Sequence, residues 1–170
     1  VQWLRTRSDI DDASIAVWGD SFATANASGR RIDVPFGIDD EPNQSEPLGA
    51  TLALLAGLFD DEIKTIVARR GLVSVRSVLE SPFVLVPHGF LVPVLLTAGD
   101  LPDVAAAIAP RSLRVEGLFD GTNRRAKSIQ EWQTASAAYN RSRGELVVEI
   151  DAGQTADMVD WLVSAMTSSK

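Results

Sequence analysis

The sequence predicts an α/β protein in which a parallel sheet is covered by helices on both faces. Two observations predict it. Four short runs rich in Val, Ile and Leu alternate with segments of helical composition. Strands that alternate with helices are joined by right-handed crossovers, which lay them parallel in one sheet. The chain is also 170 residues long, with 45% hydrophobic and 23% charged residues. That is the composition of an ordinary globular domain, long enough for a sizeable core. Residues 1–170 therefore read as a single domain.

The elements follow in order. Trp3-Leu4 reads as the end of a helix, and Asp9-Ile10-Asp11-Asp12 as a polar turn into the strand Ile15-Ala16-Val17-Trp18, which Gly19 ends. Leu48 to Phe59 has helical composition, with Ser45 as N-cap and Pro47 in the first turn. Lys64 to Arg69 is the second strand. Leu101 to Ala109 is an Ala-rich helix closed by Pro110, and Leu113 to Leu118 the third strand. Ser128 to Tyr139 is a further helix, Leu146 to Ile150 the fourth strand, and Ala156 to about Met166 the last helix. The predicted neighbours are the first strand beside the second, the second beside the third and the third beside the fourth.

Two stretches break this rhythm. Residues 22–47 carry Gly29, Pro35, Gly37, Pro42 and a run of Asp, Asn and Glu, and read as one long loop inserted after the first strand. Loops of more than about 12–15 residues are usually functional or mobile. Glu80 to Pro93 holds Pro82, Pro87, Pro93 and the single histidine, His88. Both stretches are expected near the carboxyl ends of strands, where open α/β sheets bind ligands.

Charge and composition exclude several classes. With 16 Lys+Arg against 23 Asp+Glu, the net charge is −7. Arg30-Arg31, Arg69-Arg70 and Arg124-Arg125 are isolated pairs, so no basic stripe invites a nucleic acid, whose affinity rests on phosphate contacts. The apolar stretches 48–59 and 83–98 fall short of the ~20 residues that span a bilayer. Zero cysteines and one histidine exclude a disulfide framework, a thiol nucleophile and an H-E-x-x-H zinc site. Asp33, Asp39, Asp40 and Glu41 lack the regular spacing of a calcium loop and read as a solvated acidic loop. No metal or cofactor is expected.

One motif carries chemistry. Gly19-Asp20-Ser21-Phe22-Ala23 places small residues two before and two after Ser21, directly behind a strand. This is the nucleophile-elbow spacing, in which small flanks let a strained turn lift a serine hydroxyl above the sheet. The alternative is that Ser21 merely caps the strand end. A GDSL-type hydrolase is disfavoured, because Leu85 stands where that family's D-x-x-H needs its aspartate and Arg124 follows Gly121-Thr122-Asn123.

At this point the sequence resembles a known family. Trp3-Leu4-Arg5-Thr6-Arg7-Ser8-Asp9-Ile10-Asp11 followed by Ile15-Ala16-Val17-Trp18-Gly19-Asp20-Ser21 is similar to the run of bacterial α/β-hydrolases into the catalytic-serine strand. Gly99-Asp100-Leu101-Pro102-Asp103-Val104 and Ile108-Ala109-Pro110-Arg111-Ser112-Leu113 resemble the "DLPDL…IAPRPL" run of the acetyl xylan esterase and dienelactone hydrolase-like branch. The resemblance implies the carboxy-terminal half of an α/β-hydrolase fold, with Ser21 as nucleophile and Asp120, behind Leu118-Phe119, as the acid of a triad. The family's histidine place is held by Gln154 in Ala152-Gly153-Gln154-Thr155, and glutamine cannot act as a general base. His88 is then either a relocated base, a substrate contact, or a loop histidine satisfied by neighbouring backbone. The helix equivalent to the one that follows the serine starts only after the 22–47 insertion, so Ser21 is expected at a strand end with no helix beneath it. The strands that precede the serine strand in the family are expected to belong to a longer chain, as an amino-terminal half covering an apolar strand edge.

Two functions follow. The first is esterase-like hydrolysis of a small-molecule ester or acylated carbohydrate through Ser21, Asp120 and His88. The second is a degenerate hydrolase-fold domain, a pseudoenzyme that binds a ligand or partner without turnover. Neither calls for a nucleic-acid or membrane partner.

Overall fold

The structure is a computed structural model that describes residues 1–11, 14–32, 41–91 and 95–168. Of the predicted features, Asp12, Asp33, Pro35, Gly37, Asp39, Asp40 and Pro93 lie outside the described residues.

Four strands, β1 (Ile15–Gly19), β2 (Ile63–Arg69), β3 (Ser112–Glu116) and β4 (Leu146–Glu149), form one sheet in the order β1-β2-β3-β4. Every pairing is parallel, as the alternation of elements predicts. The helices are α1 (Gln2–Arg5), α2 (Leu48–Phe59), α3 (Leu95–Ala98), α4 (Leu101–Ile108), α5 (Gln133–Ser142) and α6 (Thr155–Ser168). Short 3-10 turns at Val75–Glu80, His88–Phe90 and Gln130–Trp132 fill the connections. Among the described residues no helix is long and apolar enough to cross a membrane.

Register assigns the two faces. Val17 is level with Ile66, Ala68 with Val115, and Leu113 with Leu146, and these side chains join the main core. Over them lie α2, α4 and α5, which pack on one another; Trp132 and Tyr139 are buried there, and the Trp132 indole N–H donates to the Val73 carbonyl at 2.9 Å. The alternate positions, Thr65, Val67 and Arg69 on β2 with Arg114 and Glu116 on β3, face the other way because side chains alternate along a strand. That face is covered by α6, which buries Met158 and Ala165 and lays the Trp161 ring 5.9 Å from the Arg114 guanidinium.

Three predicted details change. The helix expected over Ser128–Tyr139 runs from Gln133 to Ser142, behind the 3-10 turn at Gln130–Trp132. Ser45 is not the N-cap of α2: Pro47 takes that position, and the buried Ser45 hydroxyl donates instead to the Leu85 carbonyl at 3.1 Å. A loop-to-loop bond thus outcompetes the local cap. Nor does the 22–47 insertion carry α2 away from the serine. The first turn of α2 returns against the end of β1, so close that a Cβ on Gly49 would lie 2.1 Å from the Asp20 carbonyl oxygen.

Asp100 shows how the connections are pinned. It caps α4 in a reciprocal box with Asp103. Its carboxylate also accepts from the Ser74 hydroxyl at 2.5 Å and the Val75 and Arg76 amides at 2.7 and 3.2 Å, clipping the Val75–Glu80 turn to the helix start. Asp100→Ala is expected to remove about 2 kcal/mol of stability, the upper end for a lost cap, read as a lower urea midpoint. Asp100→Asn should retain part of it.

Candidate functional site

The carboxyl ends of the four strands deliver a concentration of charge. Arg69, level with Glu116 in the β2–β3 register, is 6% exposed and donates through Nε to the fully buried Glu116 carboxylate at 2.9 Å. Its Nη1 reaches Asp20 at 3.3 Å, and its Nη2 donates to the Gly153 carbonyl. Glu116 accepts in addition from Arg114 Nε and from the Gly153 amide, both at 3.1 Å. One buried carboxylate therefore fixes two arginines and the β4–α6 loop at once. Buried charges survive only when paired and hydrogen-bonded in this way.

Beside this cluster lies a cleft of about 380 Å³. Phe22, Arg70, Gly117, Phe119, Arg125 and Asp151 contribute to its lining, together with the chain segment 22–25. Its floor is made by two left-handed residues on adjacent strand ends, Arg70 at φ 56° and Gly117 at φ 72°. A Cβ on Gly117 would lie 3.1 Å from Arg70 Cγ and 3.0 Å from Ala152 Cβ, so glycine lets the arginine stem cross the end of β3. Sparsely populated backbone of this kind collects at ligand sites. Phe22 is 84% exposed at the mouth, and Arg125 pairs with Asp151 on the rim.

The side chains expected to carry chemistry sit in three different surroundings. Ser21 follows β1 as predicted, yet it is fully buried, its hydroxyl oxygen accepts from the Ala23 amide at 3.4 Å, and its backbone is not left-handed. It lies behind the cleft wall, with its carbonyl accepting from Arg70 Nη1 at 3.1 Å. Asp120 stands at a separate hollow of about 250 Å³ with Glu80 and Glu131. Its Oδ1 accepts from the Thr122 amide and hydroxyl and from the Arg124 amide at 2.9, 2.7 and 3.1 Å, closing its own turn. His88 is exposed at the start of its 3-10 turn. Gln154 is exposed ahead of α6, where its carbonyl accepts from the Met158 amide at 3.2 Å. Among the described residues no hydrogen bond joins any two of Ser21, Asp120, His88 and Gln154.

The inserted loop is fastened across the sheet end by asparagines. Asn26 donates to the carbonyls of Asn43 and Thr122 at 2.9 and 3.1 Å, and its carbonyl oxygen accepts from the Asn43 amide at 2.9 Å. Asn123 donates to the carbonyls of Thr24 and Asn43, both at 3.0 Å. The described parts of 22–47 are therefore held against the loop that carries Asp120, which fixes the position of the 22–25 wall.

Gly117 and Glu116 are absent from the candidate site residues of the sequence, and Arg69-Arg70 reads there only as an isolated basic pair. The signal available was positional: a basic pair ends the second strand, and Glu-Gly ends the third at the same level once register is assigned. In comparisons with known proteins, no family model, curated protein or solved structure matches the chain.

Proposed function

We propose that this chain is a hydrolase-fold domain that binds a small ligand at the carboxyl end of its sheet and does not turn it over. The observation that carries this reading is the dispersal of the expected triad. The serine is buried and turned inward, the aspartate is occupied by its own turn, and the histidine is exposed. A nucleophile and base must stand within hydrogen-bond reach for serine catalysis, whereas binding needs only the formed cleft beside them.

Two further observations support the finer assignment to the serine-strand-onward half of an α/β-hydrolase. The close Gly19–Gly49 crossing joins the strand end to the following helix as a glycine-flanked elbow would. β1 is an edge strand of the sheet on which Val17 and Trp18 are half-buried, and α2, which packs on it, leaves Leu48, Leu52 and Phe59 exposed at 50, 54 and 82%. An apolar sheet edge of this kind calls for pairing or cover, and in this proposal further strands of the same protein supply it.

The test is p-nitrophenyl acetate hydrolysis by the protein and its Ser21→Ala, His88→Ala and Gln154→His variants. All four are expected to match the uncatalysed rate. Turnover that disappears in Ser21→Ala would overturn the proposal in favour of the esterase.

A further inference from the structure

We propose that Arg70 is the receptor for a carboxylate group on the ligand, and that the ligand is a small organic acid with an apolar body. The inference rests on reading the cleft as a binding site and adds the chemical class of what it binds. Arg70 is held at one end only. Its Nη1 donates to the Ser21 carbonyl at 3.1 Å and lies 3.8 Å from Asp20 Oδ1, which orients the guanidinium plane. Among the described residues its Nε and Nη2 have no protein partner, and the side chain keeps 37% of its exposure at the cleft.

The Nε–Nη2 edge of an arginine presents two parallel N–H donors that match the two oxygens of a carboxylate. Here that edge is open and its opposite corner is anchored, so little conformational freedom is left to lose on binding. The neighbouring charges are already engaged: Asp20 is shared with Arg69 at 3.3 Å, and Asp151 is paired with Arg125. Of the two cations that line the cleft, Arg125 has the Nη2 corner of its Nε–Nη2 edge taken by Asp151, so Arg70 is the one whose Nε–Nη2 edge is open.

The remaining lining defines the body. Phe22 at the mouth, the half-buried Ile150 and the alanines Ala23, Ala25 and Ala152 supply aromatic and aliphatic surface within a volume of about 380 Å³, near the lower end for small-molecule pockets. One open guanidinium edge, with the second arginine already neutralised by Asp151, suits a monoanionic carboxylate better than phosphate, whose higher charge calls for more than one unpaired cation.

The experiment is a titration of the full chain with benzoate, benzamide and inorganic phosphate, followed by amide chemical shifts of residues 22–25, 117–119 and 150–152. Benzoate is expected to shift these resonances, and benzamide, the same shape without the charge, to bind at least about tenfold more weakly, since a charge-assisted pair contributes 1.5 kcal/mol or more. Arg70→Gln should bring benzoate down to the benzamide level, with Arg70→Lys between. Equal binding of benzoate and benzamide, phosphate binding tighter than benzoate, or absence of benzoate shifts in the cleft would each overturn the inference. The benzamide comparison holds even where a substitution unfolds the chain. Ser21-dependent ester hydrolysis would remove the proposal of a non-catalytic site while leaving the carboxylate receptor standing. Loss of benzoate binding without turnover does the reverse.

Discussion

Glu116→Ala is expected to lower the stability of the chain by about 3–5 kcal/mol, the range for breaking a buried ion pair from one side. Glu116 is fully buried and accepts from Arg69, Arg114 and the Gly153 amide. Without it Arg69, 6% exposed, keeps only the 3.3 Å contact to Asp20 as an ionic partner. Arg114, 13% exposed, keeps only Glu149 at 3.7 Å. The penalty is the desolvation of two guanidinium groups left short of a partner, together with the lost acceptor for Gly153.

Guanidinium-chloride unfolding measures this loss. Glu116→Gln should fall between wild type and alanine, because the amide oxygen still accepts one bond but carries no charge. The double variant Arg69→Met, Glu116→Leu should recover most of the loss, since removing both charges also removes their desolvation. A deficit below about 1 kcal/mol for Glu116→Ala, the value of a solvated pair, would mean that the cluster is not sealed by α6. The cluster also bears on the cleft: Arg69 fixes Asp20, and Asp20 lies beside Arg70.

The layered architecture was legible because its signals are local. Val-Ile-Leu runs bounded by Gly, Pro and Asp mark the strands, so the predicted Ile15–Trp18, Lys64–Arg69, Leu113–Leu118 and Leu146–Ile150 overlap the observed strands to within two residues at each end. The helix Leu48–Phe59 has the predicted bounds. The last helix, predicted from Ala156, starts one residue earlier at Thr155, with Gly153-Gln154 as its approach.

What escaped the sequence is whatever depends on partners far apart in the chain. Arg69 and Glu116 are 47 positions apart and meet only through register. In the sequence each reads as an ordinary strand-end charge. Ser45 has the residue type of an N-cap, yet its hydroxyl is drawn to Leu85, 40 positions on. The Ser21 spacing fits an elbow, but spacing does not say whether the hydroxyl faces a cleft or is buried behind one. Arg70 could not be singled out either, because its left-handed φ of 56° and its one-ended anchoring are properties of the folded strand ends.

Gly19→Ala and Gly49→Ala are each expected to cost about 3 kcal/mol or more, above the usual penalty for overpacking because the obstruction is main chain. A Cβ at Gly19 would lie 1.9 Å from the Gly49 carbonyl oxygen and 2.5 Å from its carbon; one at Gly49 would lie 2.1 Å from the Asp20 carbonyl oxygen. No rotamer change relieves a contact with backbone, so α2 would have to move off the end of β1. That movement would disturb Asp20 and, through it, Arg69 and Arg70. Both variants should therefore lose stability in thermal unfolding and weaken benzoate binding together. Gly29→Ala and Gly89→Ala provide the control, because a Cβ at either position meets nothing within 4 Å and exposed substitutions of this kind usually stay within about 0.5 kcal/mol. If Gly49→Ala were as mild as these, the strand end and the helix start could not be packed main chain against main chain, and the position of Asp20 beside Arg70 would lose its structural cause.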